Sequence, residues 1–352
     1  MKNIANLPSP GITNYIPHSK IQEFFNVLEP NFPTWLSEYI NTPEMLHQQY
    51  ISTTCGTIYS NLFESDFFYS NLDHSVGVAL IVWHFTHDKK QTLAGLFHDI
   101  ATPTFKHCID FMNGDYMTQE STEDLTTQII ENSLEITALL SRDKIKISEV
   151  DNYHLYPIAD NDTPKLSADR LEYFLAHGIF TYRTIDFDQA KIFYRDIEIE
   201  KDKQGVLELG FKTKKIARDF IRNVCMLSTI FHENRTRYSL QFLADILKKL
   251  NVAGCISKTD LYKLKESEIT DIIKQSKYSD AFDEWRNARS IKASNTQPKN
   301  TYYIRHPAKI RYVDPLCRGA RMSEACQLAK QMIDENLSYD MSQYVYLDNV
   351  II

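Results

Sequence analysis

Glycine is scarce here, with 10 in 352 residues. A turn-rich all-β architecture would draw on many more, so the shortage favours long helical segments. No CxxC pair occurs; Cys55, Cys108, Cys225, Cys255, Cys317 and Cys326 are scattered, and their expected state is reduced, in a cytosol. The opening Met1–Pro8 lacks the apolar region of a signal peptide, and no uncharged run approaches the length of a bilayer span. A cytoplasmic, soluble protein is expected. Positive charge is also short: the formal net charge is −7. That argues against nucleic acid or an anionic membrane as partner, since both are held by many Lys and Arg contacts. A local basic site stays compatible with it.

What is present is an ordinary globular composition, 43 % hydrophobic and 24 % charged, rich in Tyr (20) and Phe (19). A chain of this length can bury a large core without disulfide or metal staples. Residues 1 to about 20, with Pro8, Pro10 and Pro17, read as an extended leader, and short helices follow around Ile21–Leu28 and Trp35–Ile40. Apolar residues at helical spacing predict helices over His74–Thr86 and Gln91–Ile100, joined by a Lys-rich turn. Helices are also expected over Thr118–Leu140, with Leu125, Ile129, Ile130, Leu134 and Ile136 buried, and from Ser167 onward, with Asp169 in the first turn. Alternation on either side of Lys201–Gly205 predicts one β-hairpin, Tyr194–Phe211. Amphipathic helices then run over Ile216–Phe231, Tyr238–Leu250 and Ile269–Gln275. Residues 286–301 read as a polar linker, and the tail as short strands around a helix at Ser323–Glu335. The expected organisation is a leader over 1–50, a helical core over 51–250 and a mixed α/β extension over 251–352.

The stretch that organises this chain is Leu93–Ile100, an apolar helical run ending in the adjacent His98 and Asp99. His74 heads the preceding helix, and an up-and-down pair brings it toward His98. Asp169 opens a third helix. Two imidazoles and two carboxylates make a borderline-hard site for Mn, Fe, Co, Ni, Zn or Mg, with positions left for water and a phosphate oxygen. A cation so held activates water and neutralises phosphoryl charge, which makes phosphoester hydrolysis its natural chemistry. A single His or Asp at a helix end also serves as a cap, so spacing alone leaves both readings open.

Wider motifs then weigh in. The order His74, His98-Asp99, Asp169 resembles the H…HD…D signature of the HD phosphohydrolase superfamily. Tyr69–Ala79 is similar to the "RxxHSxGV" segment of its deoxynucleoside triphosphate triphosphohydrolase branch, His98–His107 to "HDxGHxPFSH", and Asp169–Tyr173 to "DRxxY". The resemblance covers about residues 55–180. It implies a mainly α, HD-type helical core, one divalent metal ion bound by His74, His98, Asp99 and Asp169, attack on phosphorus by a water activated there, a nucleotide or other phosphorylated small molecule as partner, and a homo-oligomer.

The departures lie around that shell. Asn71 stands where the branch carries an arginine, Thr102 where it has a histidine, Gln119 at a further family histidine and His177 at a sugar-contacting acid. Asp99 and His107 are the candidates for catalysis, His107 either orienting phosphate or donating a proton, with a core histidine as its alternative. Arg170, Tyr173 and His177 match substrate-touching positions, although Arg170 and Tyr173 could equally pack or pair. Glu120 either replaces a missing acid or caps the next helix. Lys215, Arg218 and Arg222 share one helical face, with Lys212 and Lys214 beside them, and would grip a polyphosphate only if that face folds over the metal; His232, Arg235 and Arg237 pose the same question. The expected function is metal-dependent hydrolysis of a nucleotide phosphate, triphosphohydrolase-like; the alternatives are a nucleotidase or phosphodiesterase, or a metal-binding nucleotide sensor with little turnover.

Overall fold

The computed structural model describes residues 2–9, 11, 13–119, 121 and 125–352. Its longer helices are α1 (Ser19–Leu28), α2 (Asn71–Thr86), α3 (Lys89–Phe97), α4 (His107–Asn113), α5 (Leu134–Arg142), α6 (Ala168–Ala176), α7 (Phe187–Arg195), α8 (Lys214–His232), α9 (Asn234–Val252), α10 (Glu266–Lys274), α11 (Ser279–Asn287) and α12 (Gln327–Leu337). Among the described residues there are also seven short strands: β1 (Ile197–Lys201), β2 (Leu207–Phe211), β3 (Lys292–Ser294), β4 (Tyr303–Ile304), β5 (Leu316–Cys317), β6 (Ala320–Arg321) and β7 (Tyr344–Tyr346). The fold is mainly α with small β elements, as the glycine shortage and the periodic segments predict. No helix among the described residues is long and apolar enough to cross a membrane, and all six cysteines are free.

Helix α2 is the centre. Ser70 and Asp73 close a reciprocal capping box at its start, which fixes where the helix begins and so where His74 points. Its residues from Asn71 to Val82 are buried, the pattern of a helix apolar all round and packed on every side. α3 returns beside it after the turn capped by Asp88, whose carboxylate accepts the Lys90 and Gln91 N–H groups. Close packing at Gly95 sets their separation: a Cβ there would stand 3.3 Å from both Val78 and Val82. The head of α2 therefore meets the end of α3.

Two expectations are corrected. The helix over Thr118–Leu140 is instead two, Thr126–Asn132 and α5, broken at Ser133. The Ser133 hydroxyl accepts the Ile136 N–H and donates to Glu44, so it ends one helix and starts the next; the phase slips and Leu134 turns outward, 82 % exposed. Glu120 and the start expected over Thr122–Asp124 lie outside the described residues. The linker over 286–301 is likewise structured in part: α11 runs to Asn287, and β3 pairs antiparallel with β7.

The hairpin forms with Ile197 opposite Phe211 and extends into a sheet ordered β1-β2-β5-β6, β2 and β5 being parallel. The second sheet is β3-β7-β4. Two apolar clusters fill the interior. The first gathers α1 to α3 and α5 to α8 with Val313, Cys317, Met322, Ala329 and Ile333; the second gathers α4 and α9 to α11 with Phe105, Ile304 and Val345. Residues 305–315 have no regular structure and run from β4 to β5. They form a strap between the two sheets.

Glu266, at the head of α10, joins the second cluster to the loop before α2. Its fully buried carboxylate accepts the Ser52 N–H at 2.9 Å and the Tyr59 hydroxyl at 3.0 Å. Burial pushes its carboxyl up to about 8, from 4.5 in a free chain, against the pull of those donors. Between those limits the folded protein holds a proton that the unfolded chain has released. The stability this group contributes is thus complete below about pH 4.5 and is lost as pH rises through about 8. In urea titrations at pH 5, 6, 7 and 8 the gap in stability between wild type and Glu266→Gln should shrink by up to about 1.4 kcal/mol per pH unit; a gap that is constant across the series refutes the shift.

Candidate metal centre

The ends of α2, α3 and α6 meet at one point. His74 Nε2 and His98 Nε2 are 3.2 Å apart. Asp169 Oδ1 is 3.2 Å from the first and 3.8 Å from the second, and Asp99 Oδ2 lies 3.8 Å and 3.6 Å away. His74, His98 and Asp99 each turn one ligand atom into a group spanning less than 4.8 Å, and could hold a metal ion. All four residues named from the sequence are brought together.

Each imidazole is aimed by its other nitrogen. His98 Nδ1 is 2.7 Å from the Gly95 carbonyl, an acceptor, so Nδ1 carries the proton and Nε2 offers its lone pair. His74 Nδ1 is hydrogen-bonded to Oε2 of Glu172, a side chain with 0 % exposure whose other oxygen, Oε1, accepts from the Tyr69 hydroxyl at 2.5 Å. A carboxylate behind the imidazole fixes tautomer and ring orientation in metal sites. Gly77 makes this possible. A Cβ there would lie 2.7 Å from Glu172 Oε1, so only glycine lets α6 push that side chain against α2.

The charges test whether the donors fit a cation. Four acceptor atoms face one another, a repulsive set unless positive charge lies among them. Burial opposes a charge on His74, yet Glu172 and Asp169 raise it to about 10. Burial would likewise push Asp99 up, but Lys106 and the two imidazoles hold it well below the carboxylate range, and Asp169 is held low, against its burial, by His74 and His98. The cage draws positive charge, a proton or a metal ion, and imidazole–carboxylate donors suit first-row divalent ions.

Beside it opens a cavity of ≈310 Å³, within the range of small-molecule sites. Of the residues named from the sequence, His107, Gln119, Arg170, Tyr173 and His177 line it. Arg170 is held by Asp160 at 3.2 Å and by Asn161 and Ser167, anchoring the loop before α6. Burial raises Tyr173 to about 12 and lowers His177 to about 3, the latter helped by the charges of His74, Lys106 and Arg311, so both are neutral. His107 differs from a free acid: Nδ1–H donates to Asp110 at 2.9 Å, and Nε2 accepts from the Arg311 guanidinium at 3.0 Å. Burial, then Arg311, lower its pKa further. It aims Arg311.

Lys215 and Arg218 do not join this group. They lie away from the cavity and, with Arg222, converge on Asp219 at 3.4, 2.9 and 3.2 Å. The helical face they share is solvated because α8 turns Ala217, Phe220, Ile221 and Val224 to the core instead. Arg235 pairs with Glu233 and the Leu62 carbonyl, and buried Arg237 bonds the His306 and Met341 carbonyls; neither lines the cavity, and neither does His232.

Three residues escaped sequence reasoning. Glu172 lies inside the quoted Asp169–Tyr173 segment, three residues after a ligand, and only its contact with His74 reveals it. Lys106 stands one residue before His107, with Nζ 2.7 Å from Asp99 Oδ2. Arg311 comes from the strap, over two hundred residues from His98, where no periodic signal exists.

A mainly α chain carrying a His–His–Asp centre between paired helices has known counterparts in fold. No family model matches the chain. The uncharacterised protein YdhJ of Bacillus subtilis is 25 % identical over 208 residues, 58 % of this chain and 61 % of that protein; the match thus spans about three fifths of the relative's length. A phosphohydrolase from Bacteroides thetaiotaomicron superposes with a TM-score of 0.56 at 11 % identity, covering 94 % of this chain and 96 % of the other. A hypothetical protein from Aquifex aeolicus does so with 0.52 at 13 %, covering 88 % and 91 %. At these identities the likeness is one of fold.

Gly77→Ala touches no ligand, yet it should displace Glu172 and weaken Mn2+ binding about tenfold or more, the usual scale for loss of such a support. Calorimetric titration of purified wild type and variant measures it, and equal affinities would remove Glu172 from the account of the site.

Proposed function

We propose that the chain is a metal-dependent phosphohydrolase acting on a phosphorylated small molecule, a nucleotide by resemblance. The observation that carries it is the convergence of four acceptor atoms, from His74, His98, Asp99 and Asp169, beside a cavity that also holds cationic side chains. His74, His98, Asp99 and Asp169 would hold the ion, which when bound lowers the pKa of a water and offsets charge on a phosphoryl group. The remaining chemistry belongs to this chain. Glu172 and the Gly95 carbonyl hold the imidazoles in the ligating tautomer. Neutral His177 and the ring walls of Tyr173, Tyr182 and Phe231 give the cavity a side suited to a planar base. The fold shared with the Bacteroides phosphohydrolase is consistent with this reading.

The triphosphohydrolase branch keeps less support than the hydrolytic class. Its arginine is Asn71 here, and Lys215 and Arg218 do not replace it. Monophosphate release, as in a nucleotidase, is therefore the second reading, favoured by that loss of polyphosphate grips.

Protein loaded with Mn2+ should release phosphate from part of a panel of nucleoside mono-, di- and triphosphates. His98→Ala and Asp169→Ala should cut the rate at least a hundredfold and lower bound metal by elemental analysis, while Lys215→Ala with Arg218→Ala should leave it unchanged. No release from any substrate, or release indifferent to the ligand variants, would end this reading.

A further inference from the structure

We propose that the substrate's phosphate is gripped by a two-cation clamp built from opposite ends of the chain, Lys106 beside the metal ligands and Arg311 on the strap. This rests on the phosphohydrolase reading and names the residues that recognise its anion. The first arm is held in place at a cost. Phe105 and Lys106 both have positive φ, 65° and 43°, and Lys106 (ψ −118°) lies outside the conformations that L residues favour. That turn drives the ammonium inward. Its side chain is 10 % exposed and reaches both Asp99 Oδ2 and Asn71 Oδ1. Strain at one residue next to a metal ligand, spent on burying a cation, is a functional arrangement.

The second arm is a guanidinium without a counter-charge. Among the described residues no carboxylate pairs with Arg311. One terminal nitrogen donates to Gln119 Oε1 at 2.6 Å and to His107 Nε2 at 3.0 Å, and the guanidinium also interacts with the Tyr173 hydroxyl. Its Cζ lies 5.9 Å from the centroid of the Tyr173 ring. Two neutral acceptors and an aromatic face orient the group without neutralising it, leaving further N–H donors and the full charge for a ligand in the cavity it lines. The strap is fixed on both sides of it, by Lys309 N–H to the Tyr116 carbonyl (3.1 Å) and Asp314 N–H to the Pro164 carbonyl (2.8 Å). His107 and Gln119 are positioning residues for Arg311.

The probe is inorganic phosphate, titrated calorimetrically into Mn2+-loaded protein, alongside KM and kcat on the best panel substrate. Arg311→Gln and Lys106→Met should each weaken phosphate binding and raise KM at least tenfold. Mn2+ affinity should be unchanged in the first and unchanged or higher in the second, where a cation leaves Asp99. Gln119→Ala, which loosens Arg311 but keeps its charge, should give a smaller rise in KM; it also serves if Arg311→Gln does not fold. Wild-type phosphate affinity and KM in folded Arg311→Gln and Lys106→Met would overturn the clamp while leaving hydrolysis standing. Absence of turnover in wild type would strike the hydrolytic reading, and the phosphate titration would still judge the clamp.

Discussion

The bond from His74 to Glu172 is the contact on which the site's geometry depends. A carboxylate taken out of water is costly unless it is paired and its lone pairs are filled. Glu172 meets that demand with one imidazole and one phenol, and both lie on the segment that enters α2. Gly77 is the steric condition for it. The consequence runs outward: α6 must approach α2 closely, which carries Asp169 from the first turn of α6 into reach of both histidines. One buried ion pair thus sets the tautomer of His74, a helix separation and the position of Asp169.

One wall of the cavity comes from residues 309–312 of the strap, far in sequence from the candidate metal residues. Glu266 ties α10 to the loop at Ser52 and Tyr59, and Arg237 ties α9 to backbone at His306 and Met341. Between β4 and β5 the strap then has little freedom to lie elsewhere. Among the described residues Arg237 bonds two backbone carbonyls and the Asn234 amide oxygen and no carboxylate, so its burial serves chain placement.

Helices were legible because their signals are local. The capping residues, the 3.6-residue period and the order His74, His98-Asp99, Asp169 all lie within short windows, and each ligand lies at a helix end that caps or apolar runs mark. Leu134 was misread because one serine hydroxyl, bonding across to Glu44, outweighed a continuing period. The strand at Lys292–Ser294 was missed because its partner, β7, is some fifty residues away and three residues carry no alternation worth reading. Arg311 fails for the same reason on a larger scale. Its role is set by three contacts to residues 107, 119 and 173, none of which a local window contains.

Asn71 and Lys106 explain each other. Viewed along the sequence, the asparagine stands where the resembled motif carries an arginine, and the lysine is unremarked. In space they touch: Asn71 donates to the Asp99 carbonyl at 3.1 Å and to Gln48 Oε1 at 2.8 Å, and its own side-chain oxygen accepts from Lys106 Nζ. An arginine at position 71 would set a second cation against that ammonium in a buried pocket, which like-charge repulsion disfavours. The positive charge beside Asp99 is supplied by Lys106, and the asparagine is its bracket. Along the sequence Asn71 brings no cation to the site; in the folded chain it holds one, a pairing that can be recognised only where the two side chains meet.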